Sequence, residues 1–193
     1  MESFAKSEII LLKDQDFLLA KRQVSKRVKN TLRSIPKSID SVLQQYQSIS
    51  NTYPFDMPKI SSGENYQGLP YFVLDCPRYF KKSSIFSYRT IVWWGHEISC
   101  ALIISGNALV ASMEAILNKV PGREFYFCIN SHPWEHHFES NNYTTSDTLD
   151  SQTIKKHVKR TGFVKLADKI DISEIDHINT FSKNSLARFL SCV

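Results

Sequence analysis

A chain of 193 residues with 42% hydrophobic and 22% charged residues can bury one full-sized core, and its composition excludes both a disordered polyampholyte and a collagenous or low-complexity chain. The net charge of +5 is placed unevenly, with nine Lys/Arg against five Asp/Glu in residues 1–40 and a surplus of one in all that follows. Any basic function is therefore local to the N-terminal part of the chain.

The first ten residues carry Glu2, Lys6 and Glu8, and the apolar run Ile9 to Leu12 is too short for a signal-peptide core or a membrane span. A cytoplasmic protein with no membrane span is expected. From Asp14, a plausible cap, apolar residues recur at Phe17, Ala20, Val24, Val28 and Leu32, the three-to-four spacing of an amphipathic helix over residues 14–34. Between Phe17 and Lys37 lie seven basic residues and no acidic one. The segment Lys21 to Lys37 could meet nucleic acid, an anionic membrane or an acidic partner; the plainer reading is a solvated helix face whose Lys and Arg stems cover apolar surface. No aromatic residue interleaves these cations, which disfavours single-stranded nucleic acid. Pro36 is expected to interrupt the helix, and Ile39, Val42, Leu43, Tyr46 and Ile49 continue the period as a second helix to about residue 50.

Residues 51–70 hold Pro54, Pro58, Gly63, Gly68 and Pro70 and read as a long loop ordered by Tyr53, Phe55 and Tyr66. A short strand is expected over Tyr71 to Cys76, ended by Pro77. Residues 87–106, SYRTIVWWGHEISCALIISG, are too long for one strand. A two-residue turn with Gly95 first divides them into a central hairpin, placing Trp93 opposite Ile98 and Ile91 opposite Cys100. That register puts Ile91, Trp93, Ile98, Cys100, Leu102 and Ile104 on one apolar face; a single strand kinked at Gly95 is the alternative.

The run GENYQGLPYFVLDCPRYF followed by FSYRTIVWWG resembles a signature of small uncharacterised bacterial proteins. The resemblance covers residues 60–138, implies a bacterial source and a single domain (1–193), and carries no activity.

Beyond the hairpin, Asn107 can cap a helix whose stripe is Leu109, Met113, Ile116, Leu117 and Val120, stopped by Pro121-Gly122. Phe125 to Ile129 reads as an aromatic strand, with Phe125, Phe127 and Ile129 on one side and Tyr126 and Cys128 on the other. Residues 140–150 are polar and loop-like. A helix from Ser151 ends at Gly162, a last strand covers Phe163 to Ala167, and a final helix opens near Ser173. The sum is an α+β fold: a largely antiparallel sheet of about five strands, an N-terminal helical pair (1–50), and C-terminal helices packed with the sheet (51–193) on one face.

Two constellations can carry chemistry. Three of the six histidines lie in the stretch from His132 to His137, and His132, Glu135 and His136 fit H-x-x-E-H, in which two imidazoles a helical turn apart bind zinc and the glutamate activates water. His132, His136, His137 and Glu135 are thus candidate ligands of a divalent metal such as zinc in a hydrolase or oxygenase. His96 or Glu97 could complete the set, and the alternative is an aromatic loop whose imidazoles stack on Trp134. The second constellation is Glu64, Asp75, Arg78, Arg89 and Glu97. Arg89 in an apolar hairpin needs a carboxylate or a ligand anion, with Asp75 or Glu64 the plain partner. In the sharper version Arg78 and Arg89 hold a small anionic or aromatic ligand, ringed by Tyr66, Tyr71 and Trp94, with Glu64 in the covering loop.

Four cysteines with no CxxC pair exclude a zinc ribbon and a thioredoxin-type motif and read as buried reduced thiols. No phosphate-binding Gly-rich loop and no G-x-S-x-G elbow occurs.

Overall fold

Helix formation at the N-terminal end follows the apolar period more faithfully than the breaker signals. The structure, a computed structural model, describes residues 3–193. A short helix α1 (Lys6–Lys13) leads into α2 (Gln15–Gln45), a single 31-residue helix. Asp14 caps it by accepting from the Phe17 N–H at 2.9 Å. Pro36 does not divide it, contrary to expectation. The proline removes one hydrogen bond and costs about 3 kcal/mol, yet Val28, Leu32, Ile35, Ile39 and Val42 are all buried on one stripe that crosses it. Burial of that stripe outweighs the break. A short α3 (Gln47–Thr52) follows.

The remainder builds a seven-stranded antiparallel sheet rather than one of five. Its strands are β1 (Lys59–Tyr66), β2 (Leu69–Lys81), β3 (Ser84–Trp93), β4 (Glu97–Gly106), β5 (Tyr126–Cys128), β6 (Tyr143–Thr145) and β7 (Phe163–Asp171), in the spatial order β1-β2-β3-β4-β7-β5-β6. The two strands not anticipated, β1 and β6, are the edges. An edge strand need not be apolar on either face, so KISSGENY carries no period-2 signal. Pro77 likewise fails to end β2, because it sits in a register shift between Asp75 and Arg78 where the ladder is already broken.

Helices α4 (Asn107–Lys119), α5 (Ser151–Thr161) and α6 (Ile178–Leu190) are inserted between β4 and β5, between β6 and β7, and after β7. Phe72, Leu74, Phe86, Tyr88, Val92, Ile98, Cys100, Leu102 and Ile104 from the sheet join the buried residues of α2, α4 and α6 in one core. Among the described residues no helix contributes a residue to the clusters on the opposite face of the sheet. It holds smaller clusters, Val73, Ile91 and Trp93 on one side and Ala101, Cys128, Tyr143, Phe163 and Ala167 on the other.

The β3–β4 hairpin exists, but its register differs by one residue from the expected one. Ile91 pairs with Ser99 and Val92 with Ile98, because the connection has three residues, Trp94-Gly95-His96, with Gly95 at φ 74° and the His96 N–H donating to the Trp93 carbonyl at 3.1 Å. A one-residue slip exchanges faces. Ile91 and Trp93 therefore leave the helix-covered core and stand on the open face beside Arg89.

Gly106, where β4 passes into α4, has φ 62°, and a Cβ there would lie 2.0 Å from the Ser83 carbonyl oxygen. Gly106→Ala is expected to cost at least about 2 kcal/mol, read as a lowered urea midpoint at unchanged slope.

Candidate functional site

The opposite face of the sheet becomes a cavity because one loop folds back over it. Residues 129–142 leave β5 and return to β6, pinned at their neck by Asn142. Its backbone carbonyl accepts from the Ile129 N–H at 2.8 Å, its own N–H donates to the Glu139 carbonyl at 2.9 Å, and its side-chain amide donates to the His137 carbonyl. Tyr66, at the end of β1, ties the loop to the far side of the sheet. Its hydroxyl oxygen accepts from the His136 and His137 N–H groups at 2.7 and 3.0 Å.

Beneath the loop lies a cavity of about 420 Å³, within the range of small-molecule sites. Alternation along the strands supplies its floor: Tyr71 and Val73 from β2, Arg89, Ile91 and Trp93 from β3, Glu97 and Ser99 from β4. Trp134, His136 and Tyr66 form the remaining wall. Gly63 permits the Tyr71 ring to lie flat across β1, since a Cβ there would sit 2.6 Å from the ring. His96 stacks on Trp93 with 3.6 Å between ring centroids and 8° between planes, fixing that ring at the hairpin turn.

Arg89 is the electrostatic centre. Nε and Nη2 donate to the two Asp75 oxygens at 2.7 and 3.0 Å, the bidentate geometry that makes such pairs strong. Its Cζ lies 5.1 Å from the Trp134 ring centroid. Of the two carboxylates that sequence reasoning offered Arg89, Asp75 and Glu64, Asp75 is the partner, and it neutralises that charge.

The third Arg89 nitrogen orders the protons behind it. Arg89 Nη1 is 3.2 Å from His136 Nε2, and Lys165 Nζ is 3.3 Å from His136 Nδ1. A guanidinium only donates, so Nε2 accepts and the imidazole proton resides on Nδ1, aimed at Lys165. A neutral amine accepts that bond while donating to the Glu135 carbonyl; an ammonium would face it with another proton. Burial in the first place, then the charges of Lys165, Arg89 and His137, holds His136 well below the usual imidazole range. Lys165 is wholly buried, and burial, the largest cause, brings it down to about 7. Geometry and burial both favour a neutral imidazole backed by an amine that gives up its charge easily.

Sequence reasoning named Arg89 and Tyr66 as ligand-binding residues, and both line this cavity. Trp94, Glu64 and Arg78 do not. The register slip turns Trp94 to the helix side, where it packs on Phe72. Glu64 points to α2 and pairs with Lys21 at 2.7 Å. Arg78 lies beyond the β2 register shift, 3.7 Å from Asp56. The 61–70 segment expected to cover the pocket is instead the edge strand β1 and its turn.

The candidate metal ligands are not gathered. Residues 131–138 form turns and extended chain rather than a helix, so His132 and His136 are not a helical turn apart. His132 is exposed, His136 is held between Arg89 and Lys165, and His137 lies 3.9 and 3.8 Å from Glu135 and Glu139. Among the described residues no group of three or more His, Cys, Asp or Glu is placed to hold a metal ion. The four cysteines are all buried and free, as expected.

Lys165, Trp93 and Ser99 were missed. Lys165 had a signal, since its period-2 partners Phe163 and Ala167 mark its side of β7 as an inward one. Trp93 and Ser99 depended on the hairpin register alone.

The fold is thus an α+β sandwich of helices on one face of an antiparallel sheet, with a loop-roofed cavity on the other. Comparison of the chain with protein-family models, with curated proteins and with solved structures finds no match.

Proposed function

We propose that the protein binds a small planar molecule carrying an anionic or hydrogen-bond-accepting group in the cavity roofed by residues 129–142. The observation that carries this reading is the wall chemistry. Tyr66, Tyr71, Trp93 and Trp134 offer aromatic surface on several sides, with Arg89 at the floor and His136 beside it in the wall. Aromatic walls with a few convergent polar groups are the usual make-up of a small-molecule site. The Asp75–Arg89 pair is neutral as a unit, so the aromatic body of a ligand contributes more than its charge, and the polar floor orients it.

Aromatic carboxylates such as benzoate and naphthoate, with cyclohexanecarboxylate as a non-planar control, test this by tryptophan fluorescence. Quenching by the planar acids that weakens at least about tenfold in Trp134→Ala and is unchanged in Trp94→Phe supports the site. A panel that leaves the emission of the unaltered protein unmoved, or quenching that survives Trp134→Ala in full, overturns it. The half-exposed Trp134 is chosen because its loss leaves the core intact.

A further inference from the structure

Nine of the twelve large hydrophobic side chains that are exposed among the described residues lie between Phe4 and Val24, each 41% to 69% accessible. Residues 3–20 are exposed throughout, so α1 and the first turns of α2 stand clear of the core. Ile9, Ile10, Leu11 and Leu12 are consecutive, and at about 100° per residue they surround most of the helix circumference. A helix docking into another protein's groove presents a narrow stripe; a broad exposed apolar surface flanked by lysines suits the boundary between headgroups and acyl chains. Lys6 and Lys13 flank the run, placed to extend their charges away from it. Glu8 and Asp14 are turned to the helix N-termini, where they accept from Ala5 and Phe17 N–H groups.

Leu18 continues this apolar segment into a groove between α2 and β1 whose walls include Lys21, Arg22, Lys26, Lys29 and Arg33. Among the described residues the one carboxylate lining it, Glu64, is paired with Lys21. Ser25, Asn30 and Ser62 add hydrogen-bonding groups of the kind that meet phosphate oxygens. The groove carries a local positive surplus beside bare aliphatic surface.

We propose that this arm and groove form a docking surface for an anionic membrane: lipid phosphates enter the basic groove while Ile9 to Leu12, Phe17 and Leu18 sink into the acyl boundary. Both halves of the observation are used. A nucleic acid would satisfy the cations and leave the aliphatic residues in water. A second copy meeting the same face would bring like charges together. No helix among the described residues is long and apolar enough to cross a membrane, so the contact is one of lying on the surface.

Vesicle flotation tests this with phosphatidylcholine alone and with about 30% phosphatidylserine, at about 0.1 M salt. The protein is expected to float with the anionic vesicles only, and to be released as salt rises. Lys26→Glu with Arg33→Glu should weaken binding at least about 25-fold, roughly fivefold for each charge removed. Leu11→Ser with Leu18→Ser should weaken it by about tenfold or more. All four positions are exposed, and unchanged near-ultraviolet dichroism of the tryptophans certifies the fold. Equal flotation with both vesicle types, or with neither, overturns the proposal. So does displacement from anionic vesicles by a single-stranded oligonucleotide, which would make the groove a nucleic-acid site. A salt-resistant dimer abolished by Leu11→Ser with Leu18→Ser, without vesicle binding, also overturns it in favour of a second copy.

Discussion

Asp75→Ala is expected to destabilise the protein by about 3–5 kcal/mol, a fall in Tm of roughly 10 °C for a chain of this size. Asp75 is buried and the Arg89 side chain is only 16% exposed. Removing the carboxylate leaves a largely buried guanidinium without its counter-charge and withdraws two charge-assisted hydrogen bonds. The loss should fall almost wholly on stability. The pair itself contributes much less than this, because both charges had to be desolvated to form it. Asp75→Leu combined with Arg89→Met is therefore expected to recover most of what Asp75→Ala loses, and urea unfolding of Asp75→Leu, Arg89→Met and the double variant closes the cycle. A double variant no more stable than Asp75→Ala would show that Arg89 is needed for the packing of Trp134 and His136, not merely tolerated.

Lys165→Met should alter how stability depends on pH. The Lys165 amine is lowered from its ordinary range to about 7 in the folded protein, so between that pH and the unfolded value the unfolded chain binds more protons. The sign follows: the cost of burying Lys165 is fully present below about pH 7 and is removed as pH rises toward that of an ordinary lysine. Relative to Lys165→Met, the unaltered protein should gain a few kcal/mol between about pH 7 and pH 10. Taking the difference between the two proteins cancels the cysteines and tyrosines that titrate in the same window. Urea midpoints at both ends of the range provide the measurement, and a pH-independent difference would place the charge of Lys165 elsewhere. The same substitution removes the acceptor of the His136 Nδ1–H, which should raise the proportion of the other tautomer, visible in the nitrogen shifts of the imidazole.

Local signals in the chain determined a good deal. The stripe of α4 and the stop at Gly162 were legible from spacing and cap residues alone, as was the alternation of Phe125, Phe127 and Ile129 against Tyr126 and Cys128. Each depends on contacts within a few residues, where 3.6- and 2-residue periods are direct readouts of which side is buried. That Arg89 has a carboxylate partner, Asp75 or Glu64, was legible too, because a charge in an apolar strand requires one nearby; the strand pairing decided for Asp75.

Other features were decided only when the chain was assembled. Pro36 stays inside a helix because an apolar stripe on both sides of it is buried in the same core, against α6 and the sheet, an energy no local window contains. β1 and β6 are strands by virtue of lying at the edges, where backbone pairing on one side suffices and side chains may be polar. The cavity itself hangs on a single residue of hairpin register. With a two-residue turn Trp93 would join the core, and Trp94 would face the open side. The three-residue turn reverses this, and brings Trp93, Arg89 and Ser99 beneath a loop whose His136 is held by residues 47 positions before it and 29 after it. Composition and motif set the ingredients of that site; register and the return of a distant loop decided which of them meet.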